Sequence, residues 1–384
     1  MRRSTTALLL SRWASLAAAA TAAAAVATPY GGGGRVNPGG QKVILDNDWN
    51  SGAAGQFLMA LDYGWDVLGL VSDTSDSWAM QCGMHALALL EVGNLTCIPV
   101  HKGADYPLLM TPKLMQAWQG LQGPLVWQGV FAPYNETAEK LGSDPTSGDP
   151  TRVNRAALVE GYPNKTTFAS YTAAAWMVEQ VRKYPGEVVI YSGGSFTNIA
   201  MAVRMDSGFA ALTKGLYVMG GFVDTNLLQT SGDETQADIN TDFNPKADPE
   251  AAKIVLTADF PNITLVSSAS NAQFIDEDYL NDVYEVKNPY TKLALNTTQT
   301  FLPLWDETTV LVMLEPESVL NQTTFYVNVD TSFYSPTYGN VWAYQKSLVP
   351  KNQDLREVNY VYSVNGTTLR SSLKRALQYP KTCT

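Results

Sequence analysis

Short apolar runs closed by turn formers alternate along this chain with stretches of helical apolar spacing. Lys42–Asp48, Asp66–Ser72, Cys97–Val100, Glu187–Ser192, Lys214–Met219 and Ile263–Ser267 read as strands, because each is brief and rich in branched or long apolar residues. Ala53–Asp62, Ala79–Val92, Phe168–Tyr184, Ile199–Met205 and Thr308–Leu314 read as helices. Another helix starts at Asp248-Pro249-Glu250, which supplies an N-cap and an N1 proline, and runs to about Thr257. Strands that alternate with helices imply βαβ units and a parallel sheet.

The pattern changes near the C-terminus. Thr324–Val329, Asn340–Tyr344 and Asn359–Val364 alternate polar and apolar positions, and Asn365-Gly366 reads as a hairpin turn. The expected fold is therefore α/β: an open, mostly parallel, Rossmann-like sheet flanked by helices, with antiparallel strands added near the C-terminus. Between Ala104 and Pro163 the pattern is irregular and rich in Gly, Pro and aromatics, including Trp118, Trp127 and Tyr134. A stretch of that kind is either a binding loop or lid, or a surface insertion without a role. The sequence shows no internal repeat.

The start of the chain has a different character. Met1-Arg2-Arg3 is basic, Ala7–Leu10 and Ala14–Val26 are apolar and small, and Ala25-Val26-Ala27 resembles a cleavage site. Residues 1–27 read as a secretory signal peptide. Residues 28–40, with four consecutive glycines, read as a flexible leader, and residues 41–384 as the folded domain. A stable membrane anchor is not expected, since Arg12 interrupts a run of weakly apolar alanines. Sequons at Asn94, Asn135, Asn164, Asn262, Asn296, Asn321 and Asn365 fit an extracellular glycoprotein. Cys82 and Cys97 could pair in an oxidising compartment, which would leave Cys383 odd.

Composition narrows the function. The net charge is −10 and no Lys/Arg block exists, so nucleic acid is excluded as a partner. The only histidines are His85 and His101. His85 lies in a helix-like run and His101 follows a strand-like one, so both read as structural or surface residues, and a Ser-His-Asp mechanism would have to use one of these two.

The candidate chemistry lies at Asp46-Asn47-Asp48, where the first apolar run ends in two carboxylates at i and i+2. On a strand both would project to the same side. At the carboxyl end of a central parallel strand they would face the ligand crevice. Like charges that close raise each other's pKa, and an oxygen-loving cation such as Ca²⁺ or Mg²⁺ relieves the strain. The alternative is a solvated Asp-Asn-Asp turn.

Several ordered stretches resemble one family. Lys42-Val-Ile-Leu-Asp-Asn-Asp, Ile98-Pro-Val-His-Lys-Gly-Ala-Asp-Tyr-Pro-Leu, Ser192-Gly-Gly-Ser-Phe-Thr-Asn-Ile-Ala, Val218-Met-Gly-Gly, Thr241-Asp-Phe-Asn followed by Asp248-Pro-Glu-Ala-Ala, and Trp305-Asp306 are similar to the motifs of the inosine-uridine-type nucleoside hydrolases. The resemblance runs from about residue 42 to 316. It implies hydrolysis of a ribonucleoside, a small molecule, to free base and ribose, with Ca²⁺ in the pocket. It implies that Asp48 both binds the metal and takes a proton from the attacking water. Asp46, the Ser192 carbonyl and Asp306 would be further metal ligands. Asp76, Asp242 and Asn244 would hold the ribose. Trp305, standing where the family has His, could stack on a purine base or simply pack in the core. A homodimer or tetramer is the family's common assembly.

The chain departs from that pattern in two places. The family's paired aspartates, four and five positions after Asp48, are Gly52 and Ala53 here, and its histidine before the metal aspartate is Trp305. Three functions follow for testing: a nucleoside hydrolase with a variant site, a non-catalytic binding relative, or a glycosidase on another glycoside. The last would use Asp46 or Asp48 with Asp242 or Asp306 as its acidic pair.

Overall fold

The computed structural model describes residues 36–223, 242–353 and 355–383. The segment read as a signal peptide, most of the leader, and Thr241 lie outside the described residues.

The strands form one sheet with the order β3-β2-β1-β4-β5-β6-β9-β7-β8. They are β1 (Lys42–Asn47), β2 (Asp66–Ser72), β3 (Val100–Lys102), β4 (Val188–Ser192), β5 (Gly215–Met219), β6 (Ile263–Val266), β7 (Val319–Val329), β8 (Val341–Tyr344) and β9 (Arg356–Val364). From β3 to β6, and on to β9, every pairing is parallel. β7 runs antiparallel to both β8 and β9. The expected fold class is what the chain adopts. β1 pairs with β2 on one side and β4 on the other, so the chain reverses its winding there, the point at whose carboxyl ends open α/β sheets bind ligands.

Alternation along β1 divides the core. Val43 and Leu45 join the layer that contains Phe57, Leu58, Val310 and Leu311. Ile44 faces the opposite layer, with Met177, Ile199 and Val255. Helices Gly55–Asp62 and Trp305–Leu314 therefore cover one face, and Ala173–Lys183, Thr197–Met205 and Pro249–Leu256 the other. No helix among the described residues is long and apolar enough to cross a membrane.

Several boundaries move for physical reasons. β3 starts at Val100 instead of Cys97, because Cys97 is held in a disulfide and Pro99 has no N–H to give a ladder. The helix expected from Phe168 begins at Ala173; the residues before it pair their backbone with β3, Ala169 N to Val100 O and Lys102 N to Ser170 O. Asn365-Gly366 is not a hairpin. The Asn365 side chain caps helix Gly366–Gln378 by accepting from the Thr367 and Thr368 amides.

The cysteine pairing also needs correction. Cys97 bonds to Cys383, whose Cα lies 6.0 Å away, and Cys82 is free and buried in the core. The irregular segment is more ordered than its composition suggests. It carries helix Pro112–Gln122 and builds a small core of its own, in which Trp118 and Phe131 pack with Phe243 and Tyr338.

Candidate active site

The ends of β1, β2 and β4 and the start of helix Trp305–Leu314 bring carboxylates from distant segments together. Asp46, in β1, is fully buried, and its Oδ1 accepts from Asn198 Nδ2 at 3.0 Å. Burial pushes its pKa up to about 8, against the opposing pull of Asn198. Asp48 sits just past the strand, only 6 % exposed, with Oδ2 accepting from the Asp76 amide at 3.3 Å. Burial, then the charges of Asp76 and Asp306, hold it well above the usual carboxylate range. Two such buried groups rule out the solvated turn. β1 ends at Asn47, so Asp46 closes the strand and Asp48 lies one residue beyond it; Asp46 is held by Asn198 and Asp48 by the Asp76 amide, and both charges reach Asp73.

Asp306 occupies the first turn of its helix, where Gln56 Nε2 donates to its Oδ2 at 2.9 Å and Asn47 Nδ2 approaches the same oxygen at 3.5 Å. Burial raises its pKa. Asp76 is pushed up to about 6, first by burial, although Trp127 Nε1 donates to its Oδ1 at 2.7 Å. Asp48, Asp76 and Asp306 thus lie within electrostatic reach of one another.

The sugar-side residues come from beyond β5. Asp242 Oδ2 accepts from the amides of Gly221 and Phe222, and burial lifts its pKa to about 6. Asn244 Nδ2 donates to the carbonyls of Gly193, at 3.2 Å, and Met219, at 3.0 Å. Gly193 in turn donates its amide to Asp46 O. The residue whose backbone joins this network is therefore Gly193, next to Ser192; Ser192 pairs in register with Asp46, and its hydroxyl is buried without a partner among the described residues. Trp305 is half-buried, with Nε1 donating to Asn271 Oδ1 at 2.7 Å.

Asp73 and Trp127, among others, escaped the sequence reading. Asp73 is buried at the end of β2, and burial, then Asp46, Asp48 and Asp76, keep its pKa well up. Its signal was the same as that of Asp46: a carboxylate closing a buried apolar run. Trp127 had no signal beyond being an aromatic in an irregular stretch. The histidines are structural, as expected. His85 is buried between Glu160, 2.6 Å from Nδ1, and Asp144, 2.9 Å from Nε2, and His101 stacks on Trp176.

The donor set suits a hard cation. No lysine or arginine is among the groups that shift Asp46, Asp48, Asp73, Asp76 or Asp306. Buried oxygens without a hydrogen-bond partner among the described residues gather here: Asp46 Oδ2, Asn47 Oδ1, Gln56 Oε1 and Asp306 Oδ1. Orphaned buried oxygens cost free energy unless something positive meets them. The side chains are not drawn into a closed shell, since no group of three or more His, Cys, Asp or Glu among the described residues is arranged to hold a metal.

Comparisons with known proteins agree on the family. The family model described as Inosine-uridine preferring nucleoside hydrolase matches residues 43–371. An uncharacterized protein of Schizosaccharomyces pombe is 31 % identical over 81 % of this chain and 78 % of its own length. A probable uridine nucleosidase 2 of Oryza sativa is 28 % identical over 68 % of this chain and 66 % of its own length. Among solved structures, a plant nucleoside hydrolase shares the fold with a TM-score of 0.66 at 22 % identity, covering 88 % of this chain and 99 % of its own.

Proposed function

We propose that this chain, which belongs to the inosine-uridine preferring nucleoside hydrolase family, hydrolyses the N-glycosidic bond of a ribonucleoside to free base and ribose. The reaction would take place at the carboxyl ends of β1, β2, β4 and β5. The observation that carries this reading is Asp48, buried beside Asp76 and Asp306.

In this reading Asp48 is the general base. It accepts the proton of the attacking water, whose oxygen bonds to the anomeric carbon as the bond to the base breaks. The base leaves with the electron pair and takes a proton from solvent, because Trp305 has no acidic group to give. The Trp305 ring would instead stack on the base. Asp242 and Asn244, anchored by backbone at the end of β5, would hold the ribose hydroxyls. The positive charge that develops on the sugar would be met by the surrounding carboxylates.

Asp46, Asp48 and Asp306 are the carboxylates that would hold Ca²⁺, with a backbone carbonyl from the Ser192-Gly193 turn. Bound there, calcium would lower the pKa of a ligated water and orient the ribose diol. It would also keep Asp48 ionised, which burial otherwise opposes.

Release of free base and ribose from a panel of nucleosides, abolished in Asp48→Ala, is the result expected. Absence of turnover by the wild-type protein across the panel, with and without added Ca²⁺, would sink the reading. Gly52 and Ala53, which bear no carboxylate, favour a second reading as a nucleoside-binding protein without chemistry. A nucleoside that raises the melting temperature yet is never cleaved would select it.

A further inference from the structure

We infer that the side-chain oxygens of Asn47 and Gln56 are neutral ligands of the cation, in place of the carboxylates absent at positions 52 and 53. The inference rests on the cation-assisted reading above and names the residues that complete its site.

Both amides are sealed from solvent, Asn47 at 0 % and Gln56 at 2 % exposure. Both aim at the same atom: Asn47 Nδ2 and Gln56 Nε2 converge on Asp306 Oδ2, at 3.5 and 2.9 Å. Both leave the other end unpaired among the described residues, Asn47 Oδ1 and Gln56 Oε1, as Asp306 leaves Oδ1. An amide that spends its N–H on a carboxylate while burying an orphan oxygen is half satisfied. A half-turn about the last side-chain bond exchanges the two ends with almost no change of shape. Beside a cation held by Asp306, the turned amides would present oxygen to the metal.

The other end of Asn47 also has a destination. A Cβ built on Gly193 would overlap both Asn47 Oδ1 and the Tyr191 hydroxyl, so these two groups crowd the same spot against the Gly193 backbone. The Tyr191 hydroxyl is buried there in contact with Asp306, and its oxygen can accept from the Asn47 N–H after the turn. Gln56 sits on helix Gly55–Asp62, which begins directly after the Gly52-Ala53 stretch, so the same loop-helix junction supplies the substitute.

Ca²⁺ takes about six to eight oxygens and accepts amide and backbone carbonyls beside carboxylates, with affinity set largely by the number of charged ligands. Amide-for-carboxylate exchange keeps the oxygen count and lowers the site charge. It predicts a site that binds calcium but more weakly than an all-carboxylate one.

The test is calcium titration of the full-length protein by calorimetry after chelator treatment, with Tb³⁺ luminescence as a second readout. Gln56→Glu and Asn47→Asp, which keep shape and restore charge, should each tighten Ca²⁺ binding by about tenfold or more, and Gln56→Leu should weaken it to a similar degree. Binding within twofold of wild type in both acidic variants, or a wild-type protein that binds no Ca²⁺, overturns the inference. Failure here stays distinct from failure of the hydrolase reading. Unmoved calcium affinity with intact nucleoside cleavage rejects only the ligand assignment, whereas the expected shifts without cleavage reject only the activity.

Discussion

Gly193 is tightly confined at the site. A methyl group there would displace Asn47 and Tyr191, whose other contacts lie against Asp306. Gly193→Ala should cost about 1–3 kcal/mol in thermal or urea unfolding, as overpacking does, and weaken Ca²⁺ binding alongside. Unchanged stability and affinity would show that the turn has slack. Trp127 makes the opposite case, since its indole is 51 % exposed yet donates to Asp76. As a surface against which a nucleoside packs, it should raise KM by about threefold to tenfold when changed to Ala, with kcat little altered. Equal KM in the variant would make it a surface residue only. At this scale Asp46, Asp48 and Asp306 were readable because each adjoins a turn or helix start within a recognisable motif. Asn47, Gln56 and Trp127 were not, because their meaning comes from atoms brought from far along the chain.

Elements pin the irregular segment beside the site. His85, on helix Ala79–Val92, is buried between Asp144 and Glu160, with Gln81 completing the contact to Asp144. The charges of Asp144 and Glu160 overcome burial and raise the imidazole pKa to about 10. A raised folded-state pKa stabilises fully below the ordinary histidine value of about 6.5 and is lost as pH climbs toward 10. His85→Gln should therefore cost about 3–5 kcal/mol near pH 6, and the gap to wild type should narrow by pH 10. A gap independent of pH would contradict the ion-pair account. The disulfide between Cys97 and Cys383 closes a loop of 286 residues and ties the last helix's exit to β3. Reduction or Cys383→Ala should lower stability by about 2–5 kcal/mol, seen as a drop in melting temperature. The strands and most helices were legible from apolar spacing. This pairing was not, because spacing along the chain does not encode proximity across the fold. The Asn365 cap was misread because Asn-Gly serves both tight turns and helix starts.

Over the whole molecule, the switch in winding between β1 and β4 decides where the chemistry lies. It sets the ends of β1, β2, β4 and β5 side by side, and the carboxylates gather there without any basic residue among the groups that shift them. The same scale holds the export reading. Six of the seven sequon asparagines are exposed and Asn262 is half-buried, so they are accessible to glycosylation if the chain is exported, as we propose. Removal of N-glycans from protein produced in a secreting eukaryotic cell should shift its electrophoretic mobility, and an unshifted band would reject that reading. The central claim is that Asp48 and Asp306 share one cation beneath a ribose. A crystal structure of the protein soaked with Ca²⁺ and a non-hydrolysable nucleoside analogue tests it most directly. The prediction is an ion in contact with Asp48 and Asp306 and a ribose diol directed at Asp242 and Asn244. A sugar bound elsewhere, or a cation that touches neither carboxylate, would contradict it.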